Sequence, residues 1–211
     1  MSSLDHVMDR VAKIVASDQS LEVVVQGLDA YAEPGRVVVP AIERFEWLGD
    51  DAETMLTGIL VHECGHASFT DFDELHRQGR RPDFNESFKH LWNIVEDAFV
   101  ERGKGEEYPG CPKLLRRLHE WMYERGLDGA DGTKQSLASG LSPDGAELQP
   151  LTLFFLLLNT HLAPYGGKTR AELSVSAMAP MLDAFADEIA EARACPSTAD
   201  CFRVARKIYD K

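Results

Sequence analysis

Positive charge, cysteine and long apolar runs are all scarce in this chain of 211 residues. Against 35 Asp and Glu there are only 22 Lys and Arg, a formal net charge of −13. The mean field therefore repels duplex nucleic acid and anionic membrane surfaces, and neither is expected as a partner. The longest apolar run, Leu151 to Leu158, is core-sized. It falls far short of the ~20 residues that cross a bilayer. No charged n-region followed by an apolar h-region opens the sequence, so no secretory leader is expected. With only 4 cysteines and no such leader, a reducing, cytoplasmic setting with free thiols is the expectation. Cys195 and Cys201 flank Pro196 but read as small buried hydrophobes. Pro/Gly/Ser-rich linkers and internal repeats are also missing, so residues 1–211 read as a single domain with a substantial core.

What is present is organised by period. Leu4, Val7, Met8, Val11, Ile14 and Val15 recur at helical spacing behind Ser3, which predicts an amphipathic helix. The β-branched runs Leu21 to Val25 and Arg36 to Val39 enclose a Pro34-Gly35 turn, which predicts two adjacent antiparallel strands, the second ended by Pro40. A helix follows from Asp50-Asp51 to about Ser68, then a polar loop over residues 71–83 and a long helix from about Asn85 to Arg102. Lys113 to Glu124 forms another helix. Residues 126–150 are rich in Gly, Asp and Ser and read as an extended surface loop, the best candidate for a lid. Helices over Leu151 to Leu162, Arg170 to Ala194 and Ala199 to Tyr209 complete the chain. The expected class is α+β, helix-dominated, with a small antiparallel sheet.

The chemistry lies in His62-Glu63-Cys64-Gly65-His66, set on the apolar run Gly58-Ile59-Leu60-Val61. On a helix the two histidines share a face one turn apart, so both can bind one Zn²⁺ while Glu63 points at a metal-bound water as general base. Cys64 is turned away by the same geometry. A catalytic zinc needs a third protein ligand. The three-histidine pattern would place it at position 72, which is Phe72, so a carboxylate on another helix is required. Asn93, Asp97 and Glu101 fall on one stripe of the helix that follows. Asp97 is the first choice as ligand, with Glu101 behind it to hold a zinc-bound imidazole. Glu96 is its rival, with the longer arm.

A further electrophile beside the metal would stabilise an oxyanion. His161 and Tyr165 are the first pair to consider, with His119 and Tyr108 as other candidates. His6, His76 and His90 read as surface residues, and Trp92, Trp121 and Phe154 to Leu158 as core. Arg77, Arg80 and Arg81 form a short basic cluster able to bind a substrate carboxylate if it borders the cleft.

Taken together, Thr57 to Phe72, containing His62-Glu63-Cys64-Gly65-His66 and Phe69-Thr70-Asp71-Phe72, and Asn93 to Glu101, containing Glu96-Asp97, resemble a known family. It is the zincin-like metallopeptidase domain of bacterial and phage proteins related to the cobaltochelatase T subunit. The strand ending in Val37-Val38-Val39-Pro40 looks similar too, so the resemblance covers roughly residues 20–105. It implies a zincin fold, Zn²⁺ as cofactor and hydrolysis of a peptide or protein substrate. In many such proteins a von Willebrand A domain follows and an AAA+ ATPase is a common partner. This chain departs from the pattern. It has no Asp-x-Ser-x-Ser adhesion motif, and Phe99 stands where the family would have Arg.

The expectation is thus a zinc metallopeptidase with His62, His66 and Asp97 or Glu96 as ligands and Glu63 as base. An alternative is a non-catalytic zincin-fold adaptor that docks to an AAA+ ATPase or chelatase-like assembly. A third possibility is a peptidase acting on one specific protein after its lid opens.

Overall fold

The computed structural model describes residues 3–27, 29–124, 150–166 and 179–211. Helix α1 (Ser3–Val15) turns Met8, Ala12 and Val15 into the core. Three short strands follow: β1 (Glu22–Val25), β2 (Tyr31–Glu33) and β3 (Arg36–Val39). They form a sheet in the order β1-β3-β2, so the last strand in sequence is the central one.

The sheet is mixed, which corrects the antiparallel pair expected from sequence. β1 runs parallel to β3, Val23 beside Val37, while β2 runs antiparallel to it, Tyr31 beside Val38. The Pro34-Gly35 turn does make a hairpin, with Gly35 at φ 73°. Its first arm, however, is Tyr31–Glu33, a strand too short to show alternation. From β1 the chain crosses the end of β3, where the Gln26 amide donates to the Val39 carbonyl and the Ala41 amide to the Gly27 carbonyl.

An irregular 3₁₀ stretch (Ile42–Asp51), broken at Gly49, leads into α2 (Ala52–Phe69). This helix is buried along most of its length and packs against two others through its glycines. A Cβ on Gly65 would meet Val100 at 3.3 Å, and one on Gly58 would meet Leu118 at 3.1 Å and the Leu114 carbonyl at 3.2 Å. Val100 belongs to α4 (Glu86–Glu107), and Leu114 and Leu118 to α5 (Cys111–Glu124). Glycine at these positions lets the backbones approach.

Residues 72–79, expected as loop, form α3 (Phe72–Gly79), because Asp71 caps it by accepting from the Glu74 amide at 3.0 Å. Helix α4 is capped by Asn85, which accepts from the Phe88 amide at 2.9 Å, and runs past the expected end at Arg102. Gly103 and Gly105 do not stop it. They leave room for the Phe69 ring and the Tyr165 hydroxyl, which lie against them.

The remaining described elements are α6 (Pro150–Leu162), a 3₁₀ segment (Ala179–Phe185), α7 (Ala186–Ala194) and α8 (Thr198–Tyr209). One apolar core joins α1, the sheet, α2 and α5; the other joins α4 to α6, α7 and α8, with Trp92 stacked on Phe202 at 4.7 Å. The architecture is a helix-dominated α+β arrangement in which α2 and α4 meet between the two cores. Of the expected lid over 126–150, all but Pro150 lies outside the described residues, as does the first part of the helix expected from Arg170. Among the described residues no helix is long and apolar enough to cross a membrane. All four cysteines are buried and unpaired.

Candidate metal centre

Helix α2 sets the His62 and His66 rings one turn apart, centroids 5.0 Å from each other and planes at 74°. Across from them α4 presents Asp97. Its Oδ1 lies 3.1 Å from His66 Nε2 and 3.7 Å from His62 Nε2. The three donor atoms lie within 4.8 Å of one another. Donors on a tetrahedron around zinc, with bonds of ~2.0–2.1 Å, sit ~3.4 Å apart. The two spacings to Asp97 straddle that value, so the donor set is of the size to hold a zinc-sized ion.

Each donor is held from behind. The His62 Nδ1–H donates to Glu101 Oε1 at 2.9 Å, and His66 Nδ1 meets the Thr70 hydroxyl at 3.0 Å. Both imidazoles are thereby oriented with Nε2 toward Asp97. Asn93, one turn before Asp97 on the same helix, donates its amide to both carboxylate oxygens at 3.2 and 3.1 Å. Such supports fix tautomer and ring angle in metal sites.

Glu96 is directed elsewhere. Fully buried, it accepts from the Thr198 hydroxyl at 2.7 Å, and that hydroxyl in turn accepts from the Asp71 amide at 2.8 Å. The carboxyl thus ties α4 to the starts of α8 and α3. Burial raises its pKa, opposed by its Thr198 hydrogen bond. Cys64 faces α1, its thiol 3.7 Å from the Ala12 carbonyl, and burial pushes its pKa up to about 12.

The charges around the cluster are strongly coupled. Burial works against a proton on His62, but the Glu101 hydrogen bond and the carboxylates of Asp97, Glu101 and Glu63 override it and push the imidazole up to about 10. Glu101 shows the converse: burial raises its pKa, yet His119 and His62 together hold it down at about 2. Glu63 is 6% exposed, and burial raises its pKa against the pull of the two histidines.

A cavity of about 240 Å³ opens beside the cluster, lined on its polar side by His62, Glu63, Asp97, Glu101, His119 and Asn159. His119, from α5, donates its Nε2–H to Glu101 Oε2 at 2.7 Å. His161 and Tyr165 do not line this cavity. The Tyr165 hydroxyl donates to the Arg102 carbonyl at 3.4 Å, while the His161 carbonyl accepts from Arg193 at 3.1 Å. Tyr108 is likewise engaged elsewhere, donating to the Ile14 carbonyl at 2.7 Å. The basic cluster is also absent from the lining: Arg77 pairs with Glu74 and Arg81 with Asp83. Asn159 was not expected. Its one signal in the sequence is an amide interrupting the apolar run of α6.

No protein-family model matches the chain, and neither does any curated protein or solved structure.

Proposed function

We propose that this chain is a zinc-dependent metallopeptidase of the HExxH-plus-carboxylate type, with His62, His66 and Asp97 as ligands. The observation that carries this reading is the convergence of those three donors, each with its own support, beside a cavity that His62, Asp97 and Glu63 line. Bound zinc supplies Lewis acidity for a scissile carbonyl and a water activated at neutral pH. Glu63 takes the proton of the attacking water and returns it to the leaving amine. Burial suits it to this, because a raised pKa brings a carboxylate nearer to the working pH.

Glu101, Thr70 and Asn93 hold the ligand side chains in register. His119, pinned through Nε2 to Glu101, lines the cavity, whereas His161 and Tyr165 do not. The substrate is a peptide or protein. Four free buried thiols favour a reducing, cytoplasmic setting.

The test pairs metal content with hydrolysis. Glu63→Gln is expected to retain about one zinc per chain and to lose casein cleavage by ~10²–10⁴-fold. A zinc-loaded wild-type protein that cleaves no peptide bond sinks the enzyme reading and favours a docking role for the same fold.

A further inference from the structure

We propose that the cavity beside His62, His66 and Asp97 is a side-chain pocket that admits an uncharged apolar residue of leucine to phenylalanine size next to the bond cut, with Met122 as its adjustable wall. The place of this pocket in catalysis rests on the peptidase reading, but the pocket itself does not.

Away from the metal cluster the cavity is walled by Ala30, Pro40, Phe45, Ile59, Leu118 and Met122. These come from the two loops at one end of the sheet, the 3₁₀ stretch, α2 and α5, so the wall is built by the fold as a whole. Phe45, Ile59 and Leu118 are core residues, 2%, 6% and 4% exposed, and form a stiff floor. Met122 is only half-buried, one turn beyond Leu118 on α5, and its flexible thioether adapts to what enters.

No Lys or Arg is among the described lining residues. An acidic side chain would meet three carboxylates, Glu63, Asp97 and Glu101, against one imidazole, His62, whose Nδ1–H Glu101 already accepts. A basic one would find Glu101 already taken by His62 and His119, and Asp97 by His66 and Asn93, so that its one carboxylate would be Glu63, the group the reaction needs as base. An apolar side chain meets no such opposition. Covering it there favours leucine over glycine by ~10- to 100-fold.

The first experiment needs no metal. Zinc-stripped full-length chain, labelled at Ile and Met methyls, is titrated with the N-acetyl amides of leucine, phenylalanine, glycine and aspartate. The leucine and phenylalanine amides are expected to shift the Ile59 and Met122 methyls with affinity at least ~10-fold above glycine, and the aspartate amide to leave them unmoved. Met122→Trp, which fills the mouth, should abolish the Ile59 response. Met122→Ala, which enlarges it, should move the preference from leucine toward phenylalanine. An equal response to the aspartate amide, or a response indifferent to both substitutions, overturns the proposal.

The second experiment maps the bonds that zinc-loaded protein cuts in a denatured protein mixture. Enrichment of Leu, Ile, Met or Phe over Asp and Glu beside the cut supports the pocket. Cleavage without that enrichment overturns the pocket and leaves the peptidase reading intact. Selective amide binding with no cleavage at all does the reverse.

Discussion

Glu101 accepts a hydrogen bond from His62 Nδ1 at 2.9 Å through one oxygen, and its other oxygen accepts from His119 Nε2 at 2.7 Å. One buried carboxylate thereby orients His62, the proposed metal ligand on α2, and a cavity residue on α5 from a position on α4. Replacing it with glutamine keeps the size but leaves only one strong acceptor for two imidazole donors. Glu101→Gln is expected to weaken zinc binding by ~10- to 100-fold, read by competition against a chromophoric chelator. Unchanged affinity would mean that Glu101 does not support His62.

Asp97 and Glu96 are neighbours with separable jobs. Asp97→Ala should reduce bound zinc to well below one per chain with little change in the melting temperature of the metal-free protein. Glu96→Ala should do the opposite, because it strands the Thr198 hydroxyl and the contact that this makes with the Asp71 amide, at a cost of ~1–3 kcal/mol. Metal analysis and thermal denaturation of the two variants decide the matter. Zinc lost from Glu96→Ala but kept in Asp97→Ala would reverse the assignment.

That pair also marks how far the sequence can be read. Adjacent residues on a helix point about 100° apart. Which of them faces α2 depends on how α4 is rolled, and this is set by the contact of Gly65 with Val100, a long-range feature that local spacing does not encode. The HExxH face, by contrast, follows from helical period alone. So does the stripe of Asn93, Asp97 and Glu101, which lies on one side of α4 with Asn93 and Asp97 hydrogen-bonded. The mixed sheet escaped because the deciding strand, Tyr31–Glu33, is three residues long and its pairing is chosen by the chain crossing at Gln26 and Ala41. His119 and Asn159 reach the cavity through tertiary packing of α5 and α6, and no fixed offset from His62 announces either.

Gly65 tests the helix contact directly. A Cβ there would lie 3.3 Å from Val100 Cβ, Cγ2 and carbonyl oxygen, a fit that accepts a methyl only if α4 gives way. Gly65→Ala should therefore lower stability by ~1–3 kcal/mol despite the better helix propensity of alanine. Since α4 carries Asp97, zinc affinity should fall with it. Combining Gly65→Ala with Val100→Ala should restore part of both, measured by denaturant titration and chelator competition. A stabilised single variant would show that α2 and α4 have slack at this point.

Lys104 is fully buried and donates to the Val15 carbonyl and to Glu107 Oε2, both at 2.5 Å, with the Phe69 ring 4.9 Å from its ammonium. It ties the end of α1 to α4. Burial raises the pKa of Glu107, but the Lys104 hydrogen bond and charge outweigh it and hold the carboxylate below its ordinary value. A carboxylate depressed in the folded state stabilises the fold above its unfolded pKa of ~4.3, and that contribution disappears as pH falls through the folded value. The melting temperature of wild type should therefore exceed that of Glu107→Gln most at about pH 7, with the gap closing toward about pH 3. Because Lys104 would otherwise be a buried cation without its counter-ion, the gap at neutral pH should be larger than for an exposed pair such as Lys207 and Glu191 disrupted by Glu191→Gln. A gap independent of pH would show that Glu107 acts through packing and hydrogen bonding rather than charge.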